Sequence, residues 1–273
     1  MPDLESMRRR LSSIAKPVPE LTTPPSHTHP DARLLDPDFF NIGADDLTWF
    51  HEVNLAVRHE MAKTTVANDY MHIQRVTVSA WNLYQSDASQ PWARNIDPRT
   101  IVVAAMISSL GAPKYTEERE QNEKKCGCRR PDSPDLMQHI EDHLLFGFLR
   151  RLDCPPDVAG PAALIASLVS FSREVGDKEE IRKQCEAYPA LRFVQDAVRL
   201  DDLGCVGIAR LGAQNQRTVL EMVYRMDVRL LHYMGLMKTK GGRKEAERRW
   251  AQMMEFREGL LCQTDCSMGL TDD

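Results

Sequence analysis

The sequence predicts an all-α protein built as a single helical domain. From residue 44 onward, apolar residues recur at helical spacing over most of the chain. Two of these segments begin with a capping residue and a proline, Asp97-Pro98 and Ser133-Pro134, as helices often do. The alternating patterns and hairpin dipeptides that indicate strands are absent. We therefore expect a helical bundle over residues 44–273.

Residues 1–43 are predicted to form an extended N-terminal arm. They are rich in Pro, Ser, Thr and Asp, a composition that favours turns and extended chain over a packed unit. Phe39 and Phe40 are candidates to anchor the arm on the surface. The first helix is predicted immediately afterwards, with Asp45 as its N-cap.

The later helices follow from periodicity and capping. The segment "DPRTIVVAAMISSLG" has the composition of a buried strand, but Asp97, Pro98 and Gly111 are a helix start and a helix end. A charged loop is predicted at 116–132. Further helices are predicted near residues 156–172, 178–186, 189–203, 215–236 and 242–261.

Composition and charge exclude several classes of function. The chain has 273 residues and a net charge of −5, so a broad nucleic-acid-binding surface is not expected. No apolar run approaches the roughly 18–20 residues that span a bilayer, so no membrane association is expected. No apolar segment follows the first residues, which argues against a secretory signal, and Asp3 and Glu5 argue against a transit peptide. We expect a cytosolic, cytoplasmic protein with reduced thiols, for which a homodimer is compatible with the helical surface.

Four stretches carry a family resemblance when they are taken in order: "NDYMHIQRV" (68–76), "AAMISSLGAPKY" (104–115), "VSFSREVG" (169–176) and "FVQDAVRLDDLGCVGIAR" (193–210). Their order, spacing and residue identities resemble those of the HD-domain superfamily of helical metal-dependent phosphohydrolases, over roughly residues 65–260. The last stretch is the most specific of the four. The resemblance implies an HD-domain-like helical bundle.

The resemblance also implies a site for one or two divalent metals, which polarise a phosphoester or an unsaturated carbon and activate water. Its ligands are an early His, a His-Asp pair and a late Asp. His72 matches the first ligand, and Ser108 and Ser109 match the His-Asp pair. Val198 matches the late Asp, although Asp196 lies two residues away.

These substitutions remove the metal donors. Serine hydroxyls replace poorly the imidazole and carboxylate ligands of divalent metals, and a valine side chain has no donor atom. A catalytic metal needs three or four protein ligands, whereas His72, even with Asp196, supplies at most two. We therefore expect no metal, no cofactor and no ordinary phosphohydrolase activity.

The small side chains at these positions predict a cavity for an uncharged, apolar small molecule. By position, His72 is the candidate acid or base, and Lys114 and Tyr115 are candidate donors to a carbonyl group. Ser108 and Ser109 would be weak hydrogen-bond donors. The remaining candidate substrate-binding residues are Val198, Met71, Met106, Asp69, Arg75, Glu174 and Asp196.

The preferred hypothesis is a metal-independent enzyme of secondary-metabolite biosynthesis: an isomerase, an intramolecular cyclase or a lyase. Such reactions need shape, proton transfer and polarisation but no activated water. One alternative is a catalytically inactive binding protein, and another is a hydrolase or hydratase with residual metal dependence. The same residues also have structural readings, since Arg75 and Asp201 would suit an ion pair and the serines a local cap.

Overall fold

Every regular element that the computed structural model describes is helical. The described residues are 33–63, 69–110, 136–213 and 218–269. The α-helices are, in chain order, α1 (Leu47–Met61), α2 (Tyr70–Asp87), α3 (Pro98–Ile107), α4 (Leu136–Arg150), α5 (Pro156–Ser167), α6 (Phe171–Gly176), α7 (Lys178–Ala187), α8 (Ala190–Asp201), α9 (Gly204–Ala213), α10 (Val219–Arg225), α11 (Leu231–Leu236) and α12 (Lys240–Thr264). A π-helical turn at Met226–Leu230 joins α10 to α11, and short 3₁₀ turns lie at Ala44–Asp46 and Ser267–Gly269. The predicted all-α class is confirmed.

Helix α3 lies at the centre of the bundle. It is apolar on all sides, and its residues from Thr100 to Ile107 are buried against α2, α5 and α8. The predicted cap is present, because the carboxylate of Asp97 accepts a hydrogen bond from the Arg99 backbone N–H at 2.9 Å and Pro98 follows. The helix ends at Ile107, so Ser108 and Ser109 lie in the turn that leaves it.

Helices α2 and α8 pack on each other and on α3. Asp69 caps α2 by accepting a hydrogen bond from the backbone N–H of His72 at 2.9 Å. This cap places His72 in the first turn of α2, beside the end of α3. Helix α8 ends at Asp201, on the same side of the bundle. His72, Ser109 and Asp201 are distant in sequence, and they meet where α2 begins and where α3 and α8 end.

The described residues just before α1 contribute to the core. Leu35, Phe40 and Ile42 are buried, and the Phe40 ring meets Trp81 edge to face at 5.7 Å. Residues Leu34–Asp273 form one compact unit, and Met1–Arg33 form another. Of the second of these, Met1–Arg33, the structure describes Arg33 alone.

Helix α12 is the longest described helix and packs against α8 and α9. Within this helix, Glu245 forms ion pairs with Arg248 and Arg249, both at 2.7 Å. Among the described residues, no helix combines the length and the apolar composition needed to cross a membrane.

Candidate functional site

His72 is held between two protein groups that engage both of its ring nitrogens. Its Nδ1 lies 2.7 Å from Oδ2 of Asp201, and its Nε2 lies 3.1 Å from Oγ of Ser109. The histidine is only 3% exposed. A buried imidazole with a partner on each side has a fixed ring orientation, so this contact set defines the centre of the candidate site.

Asp201 is the most heavily hydrogen-bonded group of the site. Besides His72, it accepts from Nε and Nη2 of Arg75 at 2.6 and 3.1 Å and from Nη1 of Arg210 at 2.9 Å. Burial alone would raise the pKa of Asp201. The hydrogen bonds from His72 and Arg75 and the charge of Arg210 outweigh that effect and hold the pKa well below its ordinary value.

The ionised carboxylate of Asp201 fixes the proton positions on His72. A carboxylate only accepts hydrogen bonds, so Nδ1 of the histidine must carry a hydrogen and donate it. In the neutral imidazole, Nε2 is then the acceptor, and the Ser109 hydroxyl donates to it. The chain of hydrogen bonds therefore runs from Ser109 through His72 to Asp201.

A pocket of about 280 Å³ opens beside this chain. His72, Ser109 and Val198 form one part of its described lining, so three of the four positions that match metal ligands converge there. Arg210, from α9, and Arg225 and Arg229, from α10 and the π-helical turn, form another part. The expectation of an apolar cavity is not supported by this described lining, because Arg210, Arg225 and Arg229 bring three guanidinium groups to it and Asp202 brings a carboxylate.

Arg229 is positioned by aromatic side chains. Its Nε donates to the hydroxyl of Tyr233 at 3.3 Å, and its guanidinium lies 5.2 Å from the centre of the Phe171 ring. The Tyr233 hydroxyl in turn donates to Asp202 at 3.1 Å. No described carboxylate lies within ion-pair distance of Arg229. A positive charge on the pocket wall is thus held in place through neutral partners.

The other residues predicted near His72 have mainly structural positions. Ser108 donates its hydroxyl to the Ala105 carbonyl at 2.9 Å and is outside the described pocket lining. Asp69 caps α2, and Met106 is fully buried in the core. Met71 is half-buried and does not line the pocket either. Arg75 makes the ion pair with Asp201 that the sequence suggested, and it lines a separate cavity of about 530 Å³.

Glu174 and Asp196 belong to a second buried cluster, which the structure does not bring to His72. Asp196 accepts from the backbone N–H groups of Lys238 and Thr239 at 2.8–3.1 Å. Burial raises the pKa of Asp196, and those hydrogen bonds oppose the change. Glu174 pairs with Arg199 and, at 2.6 Å, with Lys238. This cluster fixes the chain at the start of α12.

Lys114 and Tyr115 lie outside the described residues, so their predicted roles remain predictions. Sequence reasoning did not assign Arg210 and Arg229 to the site, and it gave Asp201 a role only in an ion pair. Asp201 and Arg210 both lie in the stretch "FVQDAVRLDDLGCVGIAR", which was a usable signal. No sequence pattern near Arg229 predicts that it lines the pocket, because its position depends on the packing of the π-helical turn.

The residues present do not fit a catalytic metal of the HD type. At the matching positions, Ser109 and Val198 face His72 and offer one hydroxyl and no strong ligand. Asp196 points to the backbone of Lys238 and Thr239 instead. Within the described ranges, no three His, Cys, Asp or Glu side chains form a group that could hold a metal ion.

Comparison with known proteins identifies the fold. No protein-family model matches the chain, and no curated protein matches it with significant sequence similarity. Among solved structures, YpgQ from Bacillus subtilis, determined in complex with ADP, is 21% identical with a TM-score of 0.54 and covers 81% of this chain and 97% of its own. A protein from Lactobacillus plantarum is 17% identical with a TM-score of 0.57, and the match covers 79% of this chain and 96% of that one.

An HD-superfamily hydrolase from Bacillus thuringiensis is similar in the same way. It is 20% identical, its TM-score is 0.52, and the match covers 82% of this chain and all of the other. At such identities the likeness concerns the fold alone. The chain therefore has the helical fold of the HD-domain superfamily, as the sequence resemblance predicted.

Proposed function

We propose that the protein is a metal-independent enzyme on the HD fold in which His72 transfers a proton to or from a bound small molecule. The observation that carries the proposal is the engagement of both ring nitrogens by protein groups, Nδ1 by Asp201 and Nε2 by Ser109. A histidine oriented by a carboxylate on one side and turned toward a pocket on the other is arranged for acid–base chemistry.

Asp201 has a positioning role in this proposal. It holds one tautomer of His72 and stabilises the imidazolium that forms when Nε2 takes a proton. Arg75 and Arg210 keep the carboxylate ionised and fixed. On the pocket side, Ser109 is the only described partner of Nε2, and rotation of this small side chain would free Nε2 for a ligand.

The described pocket supports a small substrate that carries an anionic group. Its volume of about 280 Å³ lies near the lower limit of ordinary ligand pockets, which hold roughly 300–1,000 Å³. Arg229 supplies a positive charge for a carboxylate or phosphate. Among the expected reaction classes, isomerisation or elimination of a small acid suits these properties better than cyclisation of a bulky apolar chain. Lys114 and Tyr115 are proposed as carbonyl donors on the strength of the resemblance alone.

A second candidate function is non-catalytic binding of a small phosphate-bearing molecule. The arginine side of the pocket favours it, since guanidinium groups pair well with phosphate. YpgQ, whose structure was determined with ADP, provides an example of a protein with this fold that binds a phosphate-bearing ligand. In this alternative His72 would only orient Ser109.

Hydrogen exchange into substrate distinguishes the two functions. The full-length protein, with a chelator present, is incubated in D₂O with a panel of small carboxylates and phosphomonoesters that carry acidic C–H bonds, and ¹H NMR follows each C–H signal. We expect loss of a C–H signal from at least one panel member. The His72→Ala variant, checked for folding by circular dichroism, should exchange roughly 10²–10⁴-fold more slowly, which is the usual contribution of a general base.

His232→Ala is the matched control, because His232 is an exposed histidine outside the described pocket lining. It should exchange at the wild-type rate. Exchange by His72→Ala at the wild-type rate would contradict the assignment of His72. Binding of panel members without any exchange would favour the non-catalytic candidate instead.

A further inference from the structure

We propose that Ser109 is a nucleophile and that the site carries a further activity, acyl transfer from a small ester or thioester through a covalent acyl-Ser109 intermediate. This inference rests on the proposed function, because His72 is the base in both. It adds a bond-forming residue and names a substrate class.

The geometry of the three side chains supports the assignment. Ser109 Oγ lies 3.1 Å from Nε2 of His72, and Nδ1 of the same ring lies 2.7 Å from Asp201. Hydroxyl, imidazole and carboxylate in this order, with these separations, are the arrangement in which a histidine activates a serine, and it recurs on unrelated folds. The three residues come from the end of α3, the start of α2 and the end of α8, so the order arises from packing rather than from a local motif.

The surroundings distinguish Ser109 from its neighbour. The Ser108 hydroxyl bonds to the carbonyl of Ala105, and the residue is absent from the described pocket lining. The Ser109 hydroxyl bonds to an imidazole and lines the pocket. Two adjacent residues of the same type therefore offer one candidate nucleophile and one internal control.

The chemistry balances without a metal or a redox partner. Ser109 Oγ forms a bond to the carbonyl carbon of the ester while Nε2 of His72 takes the hydroxyl proton. The tetrahedral oxyanion then collapses, the bond to the leaving oxygen or sulfur breaks, and His72 returns the proton to the leaving group. Water attacks the acyl-Ser109 carbonyl by the same route and releases the carboxylic acid. Arg229 lines the same pocket as Ser109, and its positive charge would stabilise the oxyanion.

Covalent labelling tests this inference without knowledge of the natural substrate. The full-length protein, in a chelator-containing buffer, is treated with a small alkyl fluorophosphonate, and intact mass and peptide mapping follow the adduct. We expect a single adduct on Ser109, none with Ser109→Ala, and a wild-type labelling rate with Ser108→Ala. His72→Ala should label roughly 10²-fold or more slowly, because the base is lost.

Absence of an adduct on wild-type protein shown to be folded by circular dichroism would overturn the inference. So would an adduct that persists in Ser109→Ala or one that maps to Ser108. The labelling and the hydrogen-exchange assays fail independently. Exchange that needs His72 without labelling of Ser109 would leave the proposed function standing and refute the nucleophile.

Discussion

The substitution Asp201→Asn tests whether one buried carboxylate joins three helices. Asp201, at the end of α8, accepts four hydrogen bonds from His72 and Arg75 on α2 and from Arg210 on α9, at 2.6–3.1 Å. Its side chain is 3% exposed, so water cannot replace these contacts. Asparagine keeps one acceptor oxygen, but it turns an amide N–H₂ group toward donors and removes the negative charge that faces Arg75 and Arg210.

The expected cost follows from this geometry. Removing one partner of a buried charge network destabilises a protein by about 3–5 kcal/mol. For a chain of this size, each kcal/mol lowers the melting temperature by about 2–4 °C, so the decrease should be about 6–20 °C. The measurement is thermal unfolding followed by circular dichroism, together with urea unfolding to obtain the free energy.

Asp202→Asn is the matched control for this experiment. Asp202 also contacts Arg210, at 2.7 Å, and Tyr233, at 3.1 Å, but its side chain is 27% exposed. Its loss should cost about 1–2 kcal/mol. A melting temperature of Asp201→Asn equal to that of the wild type, or above that of Asp202→Asn, would refute the view that Asp201 organises the site.

Two further predictions concern stability. The pKa of Asp201 is lower in the folded protein than in the unfolded chain, so the unfolded chain binds more protons at low pH. The stability that Asp201 contributes is therefore complete above its unfolded pKa of about 4. It is lost as the pH falls toward the folded pKa. In urea unfolding, the difference between the wild type and Asp201→Asn should be constant above about pH 5 and shrink below about pH 4, and a constant difference down to about pH 3 would contradict this sign. Gly207→Ala should prevent stable folding, because its Cβ would lie inside contact distance of the Asp202 backbone carbonyl, whereas Gly235→Ala meets open space and should change stability by no more than about 1 kcal/mol. Equal melting temperatures for the two glycine variants would show that the chain near Gly207 relaxes.

Local signals were sufficient to predict most of the fold. Asp97 and Pro98 identified α3 as a helix although its composition suits a strand, since capping is decided within a few residues. The helix predicted over 215–236 is present as α10, a π-helical turn and α11, from Val219 to Leu236. No local sequence pattern predicts the π-helical turn, whose buried residues are Met226 and Leu230.

The candidate site was predictable only in part. The resemblance predicts that His72, Ser109 and Val198 lie together; in the structure all three line one pocket, and Asp196 does not line it. Two residues apart on a helix point to nearly opposite sides, so the packing of α8 settles this register. The contact between His72 and Asp201 spans 129 positions, and no local pattern indicates it.

The charge of the pocket lining differs from the prediction. The substituted metal-ligand positions predict an apolar cavity, but arginines from α9, α10 and the π-helical turn also line the pocket. Asp202 also lines the pocket and pairs with Arg210 at 2.7 Å. The charge that supports the proposed anionic substrate is therefore that of Arg229, which has no described carboxylate within ion-pair distance.

The metal content of the purified full-length protein tests the central claim most directly. Elemental analysis by plasma mass spectrometry is compared between the wild type, His72→Ala, and a variant in which Ser108→His, Ser109→Asp and Val198→Asp restore the donors that the HD superfamily uses. We predict that the wild type and His72→Ala hold the same low metal content and that the restored variant gains metal. A stoichiometric divalent metal in the wild type that disappears with His72→Ala would contradict a metal-independent role for this histidine.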